Sequence, residues 1–173
     1  VYCKAEEGPA LFDIIMEADD GDGLVPAGLG CRDTLRFEAS MPLYGQELTE
    51  KIGPLVAGLG RFVAFDKGTY FVGSKALMEQ REKGLPAKLV GLEMLERGVA
   101  RTGYKVWSEC GSQEIGHVTT GSYAPTLDKY LAMAYVPVDH SSIGTKVAVE
   151  IRGKKYSAQV VKMPFYKREA KKK

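Results

Sequence analysis

The stretch GLGCRDTLRFEASMPLYGQEL, residues 28–48, concentrates charge on a segment of helical length. On a wheel of about 100° per residue, Arg32, Asp33 and Arg36 share one sector with Leu29, while Leu35 and Phe37 lie apart. The helix is therefore a charged stripe between two apolar flanks. Asp33 can pair with Arg36 one turn later, which leaves the Arg32 guanidinium without a local partner. A cation near a helix N-terminus gains nothing from the macrodipole. Arg32 is the candidate for gripping an external anion, because its planar fork meets a carboxylate or phosphate in two hydrogen bonds. A structural salt bridge is the competing reading.

Other chemistry-bearing letters carry less. Cys31 adjoins Arg32, which favours a thiolate, yet cysteine is among the most buried residue types and packing is its default. Asp139, His140 and Ser141 spell a hydrolase triad, but loop neighbours do not reach that geometry and no GxSxG elbow is present. His117, between Gly116 and Val118, reads as a strand histidine. Asp19-Asp20-Gly21-Asp22-Gly23 lacks the glutamate that closes a calcium loop and reads as a solvated turn. Two histidines and three scattered cysteines form no metal site.

Elements must position these groups. Leu11, Ile14, Ile15 and Ala18 recur at helical spacing within residues 6–19. A second helix is expected over 29–40 and a third over 74–83, closed by Gly84 and Pro86. Residues 58–66, GLGRFVAFD, alternate as a strand. Beyond Pro86 the period becomes two, with strands expected at 88–95, 104–108, 114–120, 130–136, 146–152 and 155–163, spaced as in a small barrel or sandwich. The clearest hairpin turns at Arg152-Gly153. A boundary near residue 85 separates residues 1–84, a mixed α/β layer with an uncovered apolar face, from the β-rich residues 85–166. Residues 167–173 read as a basic, disordered tail. Tyr44 is expected to pack.

The whole chain excludes some classes. Its 173 residues carry 24 Lys and Arg against 22 Asp and Glu, so no charge field points to nucleic acid. No apolar run approaches the roughly 20 residues of a membrane span. Cys3, Cys31 and Cys110 are odd in number and far apart, as in a reducing, cytoplasmic setting. The start at Val1, directly on a strand-like Val-Tyr-Cys, reads as a piece of a longer protein.

The stretches PAGLGCRDTLRFEASMPLYGQEL, PLVAGLGRFVAFDKGTYFVGSKAL, KLVGLEMLERGVAR, EIGHVTTGSYAPTLDKYLAMAYVPV and VEIRGKKYSAQVVKMPFYK closely resemble the glycine cleavage system T-protein family, the folate-dependent aminomethyltransferases. The match runs in order along essentially all of the chain. The resemblance implies an α+β protein: an incomplete mixed α/β folate-binding domain followed by a small antiparallel β-barrel. It implies tetrahydrofolate as the ligand, with Arg32 contacting it, Arg101 of the GVAR segment near it, and Tyr166 of MPFYK approaching from the barrel. The implied chemistry moves a one-carbon unit from the aminomethyl-lipoyl arm of the H-protein to folate, releasing ammonia. The family's essential aspartate belongs to the amino-terminal half, so no catalytic residue is expected here and this chain alone is expected to be inactive. Iron–sulfur assembly relatives carry KGCYxGQE, whereas this chain reads KGTYFVGSKAL, with Thr69 in the cysteine's place. The folate module of a sarcosine- or dimethylglycine-oxidising enzyme is the other alternative.

Overall fold

Pro9 opens the first helix at a position where its missing N–H costs nothing. A 3-10 turn, Ala5–Glu7, leads into α1, Gly8–Glu17. The computed structural model describes residues 1–21 and 23–168, and divides into two compact units, Val1–Arg32 and Asp33–Lys173. Residues 169–173, most of the expected basic tail, lie outside the described residues.

In the first unit no described residue is buried. Ile14 and Ile15 of α1 are 61% and 41% exposed, so the apolar stripe read from the sequence stands largely uncovered. Behind the helix the Asp19 carboxylate accepts hydrogen bonds from the Gly21 and Leu24 amides at 3.3 and 3.0 Å. Asp19 thus staples the chain that leaves α1. The second helix, α2, Leu29–Glu38, crosses the junction between the units.

The second unit begins with the buried end of α2, Phe37 and Glu38. Residues 41–73 then run through turns, with one isolated bridge between Tyr44 and Leu48. The strand expected over 58–66 is not formed. Gly58 turns the chain at φ +76°, and the amides of Leu59, Phe62 and Val63 bond to the carbonyls of Pro54, Leu59 and Gly60. Those bonds are spent locally, leaving only the 3-10 turn Gly60–Phe62. Alternation alone cannot make a strand when no neighbour supplies a ladder. Helix α3, Ser74–Lys83, sits between Gly73 and Gly84, both at positive φ, and ends at the glycine expected to close it.

All six later strands form: β1 Ala87–Met94, β2 Lys105–Ser108, β3 Glu114–Ala124, β4 Lys129–Pro137, β5 Lys146–Ile151 and β6 Lys154–Val161. They close into an antiparallel barrel in the order β1-β4-β3-β2-β5-β6, sealed where Gly91 to Met94 of β1 pair with Val161 to Ala158 of β6. Closure removes the unpaired edges that an open sheet would expose. The interior is filled by Val90, Leu92, Val106, Val118, Val149 and Val160.

Strand β4 is buried on both faces. Ala132 and Ala134 point into the barrel, while Leu131 and Met133 join Phe37 in a second cluster outside it, with Met163 and Phe165 packed against them. The Phe37 and Phe165 rings lie 5.4 Å apart. Gly91 makes this possible: a Cβ there would fall 2.6 Å from Phe165. The end of α2 and the closing segment are thereby held on the barrel wall.

Candidate functional site

Arg36 is wholly engaged inside its own unit. Its Nε donates to Asp33 Oδ1 at 2.8 Å, the i,i+3 pair expected from the sequence. Its Nη1 also donates to Glu47 Oε2 at 3.2 Å, where the Arg36 side chain is 10% exposed and the Glu47 side chain not at all. Glu47 completes its hydrogen bonds with the Leu43 amide at 2.9 Å and the Thr120 hydroxyl at 2.6 Å. The Tyr135 hydroxyl donates to the Glu47 carbonyl at 2.7 Å. Burial, reinforced by the Glu47 charge, pushes that phenol well above the ordinary tyrosine range, so it stays a donor. The network ties the 41–48 loop to β3 and β4.

Arg32 is different. It is exposed, and its side chain makes no hydrogen bond or ion pair among the described residues. The guanidinium that local pairing left over is still left over in the folded chain.

Arg101 lies on the connection between β1 and β2, and Gly121 determines where that connection runs. A Cβ at Gly121 would come within 1.8 Å of the Ala100 carbonyl, so only glycine lets the backbone pass so closely. Thr102 Oγ1 then donates to the Thr119 carbonyl at 2.8 Å, and the Gly103 amide to the Val118 carbonyl at 2.8 Å. The exposed Arg101 stands beside a cavity of about 500 Å³ that it lines with Arg152, Lys154, Tyr104 and Tyr156.

Tyr166 belongs to another face of the barrel. Its amide donates to the Glu38 carbonyl at 2.8 Å, beside the end of α2, and the residue is 42% exposed. Arg101 and Tyr166 share no cavity or bond among the described residues. Tyr44, expected to pack, is instead 70% exposed, because the loop turns on Glu47 and Leu43 rather than on its ring.

Sequence reasoning passed over Cys110. The thiol is exposed, 2.9 Å from Ser112 Oγ and 3.4 Å from Ser108 Oγ. Hydrogen bonds from Ser108 and then Ser112 pull its pKa down from 9.0 to about 7. The signal was present as serines two residues either side of the cysteine, Ser108-Glu109-Cys110-Gly111-Ser112. Cys31, read as packed, is exposed. His117 stands on the outside of β3 with its ring 6.0 Å from Tyr135. No group of three or more His, Cys, Asp or Glu among the described residues is arranged to hold a metal.

Comparison with known proteins adds a frame for this geometry. The family model for the GCVT N-terminal domain matches residues 1–67, and that for the glycine cleavage T-protein C-terminal barrel domain matches residues 88–167. An aminomethyltransferase of Symbiobacterium thermophilum is 53% identical over 167 residues, covering 96% of this chain and 44% of that protein. One from Geobacillus kaustophilus is 49% identical over 168 residues, 97% of this chain and 46% of that protein. The crystal structure of the glycine cleavage system aminomethyltransferase T from Bartonella henselae superposes with a TM-score of 0.81 at 36% identity, covering 91% of this chain and 43% of that one. The chain spans about half the length of the curated relatives it matches.

Proposed function

This chain belongs to the glycine cleavage T-protein family, and from that premise we propose that it is the carboxy-terminal, folate-contacting part of an aminomethyltransferase. In this reading the complete enzyme moves the one-carbon unit of aminomethyl-lipoyl H-protein onto tetrahydrofolate. Folate N5 bonds to the methylene carbon as its carbon–nitrogen bond breaks and ammonia leaves. N10 then bonds to the same carbon as its carbon–sulfur bond breaks, and the lipoyl arm departs as the free dithiol, the N5 and N10 protons having gone to the two leaving groups. The contribution of this chain is to hold substrate, since positioning alone supplies much of such a rate enhancement. Residues 1–84 are assigned to the folate-binding domain and residues 85–166 to the barrel domain.

The observation that carries the folate reading is Arg32. Arg36, one turn on, is consumed by Asp33 and Glu47, whereas Arg32 is exposed and uncommitted. Its guanidinium is assigned to an anionic group of folate, with Arg101 and Tyr166 as further contacts. The relatives named above are aminomethyltransferases, which favours transfer over the iron–sulfur and amine-oxidising alternatives. Three cysteines without a disulfide support a cytoplasmic setting for that chemistry.

Titration of tetrahydrofolate against the full-length enzyme tests the assignment. A charge-assisted contact contributes about 1.5–3 kcal/mol, so Arg32→Ala weakens binding roughly ten- to a hundred-fold. Arg32→Lys recovers part of the loss, because an ammonium lacks the fork. Equal affinity in wild type and Arg32→Ala, with the melting temperature lowered instead, assigns Arg32 to structure and overturns the reading.

A further inference from the structure

Three cations surround the cavity at the end of the barrel: Arg101, Arg152 and Lys154. Among the described residues none of them makes a hydrogen bond or ion pair through its side chain, and no Asp or Glu lines the cavity. Neighbouring lysines behave otherwise. Lys105 pairs with Glu114 at 2.7 Å, and Lys155 donates to the Gly111 carbonyl at 2.5 Å with its ammonium 3.7 Å from the centre of the Trp107 ring. Cations in this part of the surface find partners where partners exist. The three around the cavity converge on empty space, against their mutual repulsion.

The backbone accepts a cost to keep them there. Ile151 pairs directly with Lys154, so the β5–β6 hairpin turns on two residues, Arg152 and Gly153, at φ +51° and +80°. That is the turn in which Asn, Asp or Gly is preferred at the first position. An arginine occupies it instead, in a region that side chains other than Gly, Asn and Asp rarely adopt. On the facing side, Gly121 brings the Arg101 connection down onto β3. Half-buried Tyr104 and Tyr156 supply an aromatic wall. The result is a concavity of ligand size with an apolar wall and a cationic mouth.

We propose that this cavity binds a small anion bearing two or more negative charges, carried as carboxylates or phosphates. A single charge would leave two of the three cations uncompensated. Both arginines can meet either group with a two-pronged fork, and Lys154 adds a mobile point charge. Because Arg101 also figures in the folate reading, the test rests on Arg152 and Lys154.

Pyrophosphate and citrate serve as probes, titrated by calorimetry at low salt into wild type, Arg152→Asn, Lys154→Gln and, as a control on β1, Lys88→Gln. The expected result is saturable binding of at least one probe, weakened about ten-fold by each cavity variant, unchanged in Lys88→Gln, and weakened further as salt screens the contacts. Melting temperatures on the same samples exclude unfolding as the cause. Binding of pyrophosphate alone assigns a phosphate ligand, and of citrate alone a carboxylate ligand. Competition between either probe and tetrahydrofolate assigns the cavity to the anionic groups of folate itself. Absence of binding by both probes, or equal affinity across all four proteins, overturns the proposal. Arg32→Ala is expected to leave probe affinity unchanged, so failure of the folate reading and failure of this one are separable.

Discussion

At the scale of single residues, the arginines divide by partnership rather than by sequence. Arg36 and Glu47 form a buried pair; removing Glu47 leaves Arg36 with Asp33 but strips the acceptor from the Leu43 amide and the Thr120 hydroxyl, a loss of about 1–3 kcal/mol. Glu47→Ala is accordingly expected to lower the urea midpoint of the second unit, read from Trp107, the single tryptophan. Glu47→Gln, which retains an acceptor for Thr120 and Leu43, should lose less. If both variants unfold with the wild-type midpoint, Glu47 does not anchor the 41–48 loop. Cys110 makes a second claim at this scale. With its pKa near 7, half of the thiol is thiolate at neutral pH, and the thiolate is the nucleophile. The sign follows: alkylation rises through pH 7 and saturates above it, and Ser112→Ala moves the midpoint upward. A wild-type midpoint at the ordinary thiol value of about 8.5 would contradict the hydrogen-bonding account.

Elements are governed by close approach and turn geometry. Gly121→Ala inserts a methyl into a 1.8 Å gap beneath the Ala100 carbonyl, so the Arg101 connection must lift from β3. Overpacking of this kind costs typically 1–3 kcal/mol. Amide exchange at Gly103, whose N–H bonds the Val118 carbonyl, should rise with it, and unchanged protection there would show that the connection does not depend on the glycine. The β5–β6 turn makes the opposite prediction. Arg152→Asn relieves a left-handed arginine whose strain is of order 1 kcal/mol, and should raise the melting temperature by roughly 2–4 °C. The same substitution is the one expected to weaken anion binding at the cavity. Stability gained and affinity lost in one variant is the signature of a residue kept for its ligand.

For the whole molecule, protection should follow burial. The first unit contains no buried described residue, whereas the closed barrel pairs every strand on both sides. Hydrogen exchange is therefore expected to be fast along residues 1–32 and slowest in β3 and β4, whose side chains form the most continuous buried runs. Uniform protection on both sides of Arg32 would contradict this. The uncovered stripe of α1, with Ile14 and Ile15, and the exposed Phe12 beside it make the first unit the expected site of dye binding and self-association.

What the amino-acid order determined by itself was local. Period two beyond Pro86 marked all six barrel strands, Gly84 and Pro86 closed α3, and i,i+3 spacing paired Asp33 with Arg36 and left Arg32 over. Each depends on residues a few positions apart, where covalent geometry dictates who can meet whom. Tertiary structure decided the rest. Residues 58–66 alternate like a strand but lack a ladder, and no periodicity reveals a missing neighbour. Glu47 meets Arg36 across 11 residues and Thr120 across 73, contacts made only after the chain has folded back. The cationic cavity joins Arg101 to Arg152 and Lys154 because β1 and β6 close the barrel, bringing the connection after β1 to the same end as the β5–β6 turn. Sequence spacing encodes what one element can do; which elements face each other is settled by burial and ladder pairing across the whole chain.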